Sequence, residues 1–120
     1  MKKTILIVDD DFSVCKTTAR LLSPTYSTVI ASSGREALDI INQKKRFDLV
    51  LMDMMMPEID GLELLKKLRS HNKEMAVIMM SGYFTIDSAI DASNYGAHAY
   101  LTKPFDLEQL NKSIKSALHE

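Results

Sequence analysis

Five short apolar runs alternate with five amphipathic segments along this 120-residue chain, with no linker, repeat or low-complexity tract between them. Such alternation specifies a parallel sheet, because consecutive parallel strands need a crossover and helical crossovers cover both sheet faces. The strand candidates are Thr4–Val8, Thr28–Ala31, Leu49–Met52, Met75–Met80 and Ala97–Leu101. Those beginning near Thr4, Leu49 and Met75 are almost wholly apolar, the pattern of strands buried on both faces, and belong in the middle. Thr28–Ala31 is shorter and more polar, as suits an edge.

The intervening segments carry helix signals. Asp11 is placed to cap a first helix with Val14, Thr18, Leu21 and Leu22 on its apolar side, ending before Pro24. Ser33 with Glu36, and Asp60 with Glu63, are spaced as capping boxes for a second helix (Ala37, Leu38, Ile41) and a third (Leu62, Leu65, Leu68). A fourth, from Ile86 to Tyr95, has the weakest stripe, Ile86, Ala89, Ile90 and Ser93, with Gly96 as its C-terminal cap. Asp106 opens a fifth, bearing Leu110, Ile114 and Leu118. The expected fold is an α/β three-layer sandwich, a flavodoxin-like (βα)5 domain over residues 1–120 whose five parallel strands take the order 2-1-3-4-5.

Bulk properties narrow the function. The 15 basic and 16 acidic residues give a net charge of −1, with no basic run or basic–aromatic interleaving, so direct nucleic-acid binding by this segment is not expected. The apolar stretch after Lys2 and Lys3 is too short for a membrane span or signal-peptide core, and the single cysteine, Cys15, suits a reducing compartment as a small core residue. The expected location is the cytoplasm.

Ligands of open α/β sheets sit beyond the carboxyl ends of the strands. In the order 2-1-3-4-5, Asp9 and Asp10, Asp53, Ser81 and Lys103 leave four neighbouring strands at one edge. With strands roughly 4.8 Å apart, their side chains can share a pocket. Taken singly, Asp53 reads equally as a turn residue, Asp9 and Asp10 as helix-capping acids, Ser81 as a turn and Lys103 as a solvated charge. Together they are the parts of a phosphoryl-transfer site. Three close carboxylates repel, raising the pKa of at least one unless a cation joins them. Mg²⁺ suits hard oxygen donors held at about 2.1 Å, whereas His71, His98 and His119 lack ligand spacing.

The motifs Ile5-Leu6-Ile7-Val8-Asp9-Asp10-Asp11, Leu51-Met52-Asp53-Met54-Met55-Met56-Pro57-Glu58-Ile59-Asp60-Gly61, Met80-Ser81-Gly82 and Gly96-Ala97-His98-Ala99-Tyr100-Leu101-Thr102-Lys103-Pro104-Phe105 resemble the receiver domain of bacterial two-component response regulators, in order and over essentially the whole chain. The resemblance implies that Asp53 accepts a phosphoryl group from a sensor histidine kinase or phosphotransfer protein. It implies that Mg²⁺ is bound by Asp10 directly, Asp9 mainly through water, Asp53, and the backbone carbonyl of Met55. Lys103 would pair with the phosphoryl group, Ser81 would hydrogen-bond to it, and Lys103-Pro104 would be a cis peptide. Tyr100 matches an aromatic switch position, with output through the surface of helix four, strand five and helix five to an output domain or partner, and homodimerisation on phosphorylation as a further expectation. Met55 and Tyr83 occupy lifetime-tuning positions, and neither is an Asn or Glu able to orient a hydrolytic water. The residues 96–110 are most similar to receivers attached to ATPase-type transcription activators.

Two other readings compete. A Mg²⁺-dependent phosphatase on a similar fold would carry a second Asp two residues after the nucleophile, where this chain has Met55. A pseudo-receiver acting by contact alone would not need the full set of acidic pair, acceptor, hydroxyl and lysine. The expected role is therefore a signalling receiver that assists its own phosphotransfer, not an enzyme with turnover.

Overall fold

A computed structural model describes residues 2–43, 46–82 and 85–120. Its elements run β1 (Thr4–Val8), α1 (Phe12–Leu22), β2 (Ser27–Ala31), α2 (Gly34–Asn42), β3 (Leu49–Asp53), α3 (Gly61–His71), β4 (Ala76–Ser81), α4 (Ile86–Asn94), β5 (Ala99–Thr102) and α5 (Leu107–Ala117). All pairings are parallel, in the order β2-β1-β3-β4-β5, as the alternation requires.

Because successive strand residues point to opposite faces, the three central strands build two cores. Leu6, Val8, Val50, Met52, Val77 and Met79 join the buried side chains of α2 and α3. Ile5, Ile7, Leu49, Leu51, Ile78 and Met80 join those of α1 and α5, including Cys15, Leu110 and Ile114. Each large aliphatic side chain buried in this way contributes about 2 kcal/mol. Cys15 is the small core residue the sequence suggests. Burial, first, and the charge of Asp9 push its thiol up to about 11, which leaves it unreactive as a nucleophile.

The helix starts are set by side-chain caps. Asp11 accepts from the Ser13 and Val14 amides, Ser33 from Glu36, Asp60 from Glu63 and Thr85 from Ser88. Of the two expected reciprocal boxes, α2 and α3 each show only the one-way cap, and the Glu36 carboxylate accepts instead from Ser32 Oγ at 3.4 Å. A two-way box forms at α5, between Asp106 and Gln109.

Several element details differ from expectation. Met75 lies in a turn, its amide donating to Asn72 Oδ1, so β4 starts one residue later and includes Ser81. Ala97 spends its amide on the Ala92 carbonyl at the end of α4, which delays β5 to Ala99. Leu21 is exposed because α1 turns Cys15, Thr18 and Leu22 inward, while Leu64 joins Leu65 and Leu68 in the stripe of α3. Ala117 is the last buried residue of α5, and Leu118 is its half-buried C-cap.

The largest difference is α4. Of its expected apolar face, Ile86 (70% exposed), Ile90 (51%) and Ser93 point outward and only Ala89 turns in, and Ala92 is its one buried residue. The inner arc holds Ser88, Ala89 and Ala92, small side chains beside β5, next to an open pocket of about 130 Å³ that Tyr100 also lines. The C-terminal end of α4 is held more firmly. Gly96 takes the left-handed conformation at φ 92°, and the Arg69 guanidinium of α3 donates to its carbonyl at 2.6 Å and also to the Met75 carbonyl. Lys66 Nζ lies 4.5 Å from the Tyr95 ring centroid.

Candidate functional site

Strand register brings the acidic groups together. Val8 pairs with Met52 and Asp53 with Met80, so Asp9 leaves β1 beside Asp53, the last residue of β3. Asp9 is 1% and Asp53 6% exposed, whereas Asp10 faces solvent. Carboxylate oxygens of Asp9, Asp10 and Asp53 lie within 4.8 Å of one another. Asp9 is oriented by the Asp11 amide, which donates to its Oδ1 at 3.0 Å. The β3–α3 turn closes just behind Asp53, where the Met54 amide donates to the Met80 carbonyl at 2.8 Å and the Gly61 amide to the Met54 carbonyl at 2.9 Å.

The other two groups come from β4 and β5. Ser81 pairs with Thr102, and the Lys103 amide donates to the Ser81 carbonyl at 2.7 Å. Ser81 is buried, and the Lys103-Pro104 peptide is cis. Lys103 Nζ donates to Asp9 Oδ2 at 2.7 Å and lies 3.6 Å from Asp53 Oδ1. The ammonium thus bridges two carboxylates, with the shorter contact to Asp9.

Burial is the first cause of a raised Asp53 pKa; the nearby Lys103 charge and an N–H donated by Met55 oppose it, while Asp9 and Asp10 reinforce it. Burial alone would lower the Lys103 pKa, but its hydrogen bond to Asp9 and the charges of Asp53 and Asp9 raise it overall. One ammonium therefore leaves three carboxylates short of positive charge. That deficit, the hard oxygen donors and the partly open Asp10 side fit a small dication such as Mg²⁺.

The remaining expected residues lie around this cluster. The Met55 side chain is 67% exposed, and its amide faces Asp53. Tyr100 is half-buried, packed against the α2–α3 side of the core with its hydroxyl 3.4 Å from Ser88 Oγ. Tyr83 lies outside the described residues. Sequence reasoning did not find the Thr85–Ser88–Tyr100 hydroxyl chain, because scattered Ser and Thr carry no pairing signal before the fold brings them together.

A doubly wound sheet with an acidic trio and a lysine at one switch-point edge defines an open α/β domain whose ligand site lies beyond the carboxyl ends of its strands. Residues 5–115 match the family described as the response regulator receiver domain. The chain belongs to that family. It is 40% identical over 115 residues to the transcriptional regulatory protein ZraR of Klebsiella oxytoca, covering 95% of this chain and 26% of that protein. It is 35% identical over 119 residues to sporulation initiation phosphotransferase F of Bacillus subtilis, covering 98% of this chain and 95% of that protein. A crystal structure of a CheY-like response regulator receiver domain protein from Methanospirillum hungatei superposes with a TM-score of 0.93 at 35% identity, covering 99% of this chain and 95% of that one. The chain thus spans about a quarter of ZraR and nearly all of the sporulation protein. Receiver domains are phosphorylation-dependent signalling modules that bind Mg²⁺ at an acidic pocket. Among the described residues, no helix is long and apolar enough to cross a membrane.

Proposed function

We propose that residues 1–120 form a single receiver domain that takes a phosphoryl group on Asp53 from the phosphohistidine of a sensor kinase or phosphotransfer protein. The observation that carries this reading is the convergence of Asp9, Asp10, Asp53 and Lys103 at one sheet edge. An Asp53 carboxylate oxygen attacks phosphorus, the donor's P–N bond breaks, and its electron pair returns to the imidazole. Asp9, Asp10, Asp53 and the Met55 carbonyl would hold Mg²⁺, which when bound supplies positive charge to the phosphoryl oxygens. Lys103 Nζ moves from Asp9 toward the new phosphoryl group, and the Ser81 hydroxyl donates to another of its oxygens. An apolar groove lined by Val14, Leu21, Pro104 and Phe105 begins at Lys103, where a donor protein reaching Asp53 would rest. Incubation with acetyl phosphate and Mg²⁺ should add the mass of one phosphoryl group; no added mass would refute the reading.

The signal then leaves through α4, β5 and α5. Added charge and acceptor oxygens on Asp53 draw Ser81 and Lys103 inward, and Tyr100 follows into the vacated space. With one buried residue and only small side chains against β5, α4 is the element that moves at least cost. An output domain or partner, including a second copy of the chain, would read the changed surface. In the beryllofluoride-bound form, Tyr100 and the exposed side of α4 should occupy new positions. An unchanged face would exclude this route.

Met55 and Tyr83 are proposed to make the phosphoaspartate long-lived, since neither orients a water for hydrolysis. Met55→Asn combined with Tyr83→Glu should shorten its half-life at least several-fold, measured by loss of the added mass; equal or slower loss in the variant counts against the assignment.

A further inference from the structure

We propose that Gly34, in α2 and remote in sequence from the acidic cluster, is a positioning residue for the phosphoryl site through a notch that seats Ile59. A Cβ at Gly34 would lie 2.2 Å from Ile59 Cγ2, although 3.6 Å from Ile59 Cβ. Only the branch methyl occupies the space that a side chain at Gly34 would need. Ile59 belongs to the β3–α3 loop, between Met55 and the start of α3, and packs against the core beside α2.

The loop has little freedom to give way. Two residues after Ile59, the loop's two ends meet closely: a Cβ at Gly61 would stand 2.5 Å from the Asp53 carbonyl and 2.7 Å from Met54 Cα. Immediately before Ile59, Glu58 adopts φ 69°, and the Ile59 amide donates to the Pro57 carbonyl at 2.7 Å. Left-handed conformation is unfavourable for a residue with a side chain, so the surroundings must hold Glu58 there. Ile59 is stiff at χ1, which hinders its methyl from rotating aside. A methyl group at position 34 therefore pushes on the backbone of residues 55–59, the stretch that presents the Met55 amide to Asp53 and carries the carbonyl proposed for the metal site. Gly34 touches neither phosphate nor metal; it acts through Ile59.

This inference rests on the assignment of Asp53 and Met55 to the phosphoryl and metal site. Gly34→Ala should shift the backbone amide resonances of residues 54–61 in the metal-free protein and weaken Mg²⁺ binding on the order of 10–100-fold, the usual effect of losing an outer support of a metal site. Adding Ile59→Ala removes the methyl and leaves an ordinary 3.6 Å contact, so Gly34→Ala/Ile59→Ala should bind Mg²⁺ as tightly as Ile59→Ala alone. Gly34→Ala/Ile59→Val keeps the branch methyl and should stay as weak as Gly34→Ala. Wild-type loop resonances and affinity in Gly34→Ala, or equal rescue by valine, would overturn the proposal. Should Gly34→Ala not fold, recovery of folding by Ile59→Ala but not by Ile59→Val supports it, and failure of both overturns it. If the wild-type protein binds no Mg²⁺ and takes no phosphoryl group, the functional assignment fails, while the metal-free resonances still decide whether Gly34 sets the loop.

Discussion

Asp53→Asn is expected to lose all phosphoryl uptake from acetyl phosphate and, at neutral pH, to melt at a higher temperature than the wild-type protein. The first effect follows from the nucleophile, since an amide oxygen is too weak a base to displace the donor. The second follows from burial. The raised folded-state pKa of Asp53 means that the folded chain holds a proton after the unfolded chain, with an ordinary value of about 3.9, has released it. Stability therefore falls as pH rises from the ordinary value through the raised one, and stays lower above it. Asparagine has nearly the same shape and carries no charge. The Lys103 bond to Asp9, 2.7 Å in the wild-type protein, does not involve residue 53 and should persist in this variant. Thermal melts of both proteins across the acidic range should diverge as pH rises through that window and remain separated at neutrality. A variant less stable than wild type at neutral pH, or one still labelled at residue 53, contradicts the account.

The second large effect is the opposite experiment, removal of the cation. Lys103→Ala leaves the nearly enclosed Asp9 carboxylate without its ion-pair partner and adds to the repulsion at Asp53. The expected loss is about 2–4 kcal/mol, somewhat less than for a wholly enclosed pair because the Lys103 side chain is 25% exposed. Because the folded-state pKa of Lys103 is raised, its stabilisation is complete below the ordinary lysine value of about 10.4 and disappears as pH climbs through the folded value. The gap between wild type and variant should hold through neutral pH and close in strong alkali. Mg²⁺ should raise the melting temperature of Lys103→Ala more than that of wild type, since the emptier site has the greater need of a cation. Phosphoryl uptake should drop despite tighter metal binding. Equal stability of the two proteins, or equal gains from Mg²⁺, would show that the lysine is not the internal counter-charge.

What could be read before folding, and what could not, divides along sequence distance. Thr4–Val8 and Leu49–Met52 announce buried strands by composition alone; alternation with helices makes the sheet parallel, and placing the apolar strands in the middle gives its order and the edge from which Asp9, Asp53, Ser81 and Lys103 leave. Periodicity was a poorer guide where two helical arcs competed. In α4 the larger apolar residues Ile86 and Ile90 define one arc, but packing selected the other, whose Ala92 allows closer approach. Boundaries slipped where a backbone amide had another use, as at Ala97. Gly34 and Ile59 carry no mutual signal in the chain, since their fit exists only once α2 and the acceptor loop lie side by side. Arg69 likewise reads as a surface charge until its guanidinium meets the Gly96 carbonyl.

The hydrogen bond from the Lys103 amide to the Ser81 carbonyl has a mechanical meaning. It yokes the backbones of two residues proposed to hold the phosphoryl group, so a main-chain shift of one would haul the other. On the proposed reading their strands would then answer as a single lever, adding a main-chain pull to the swing of the Tyr100 ring.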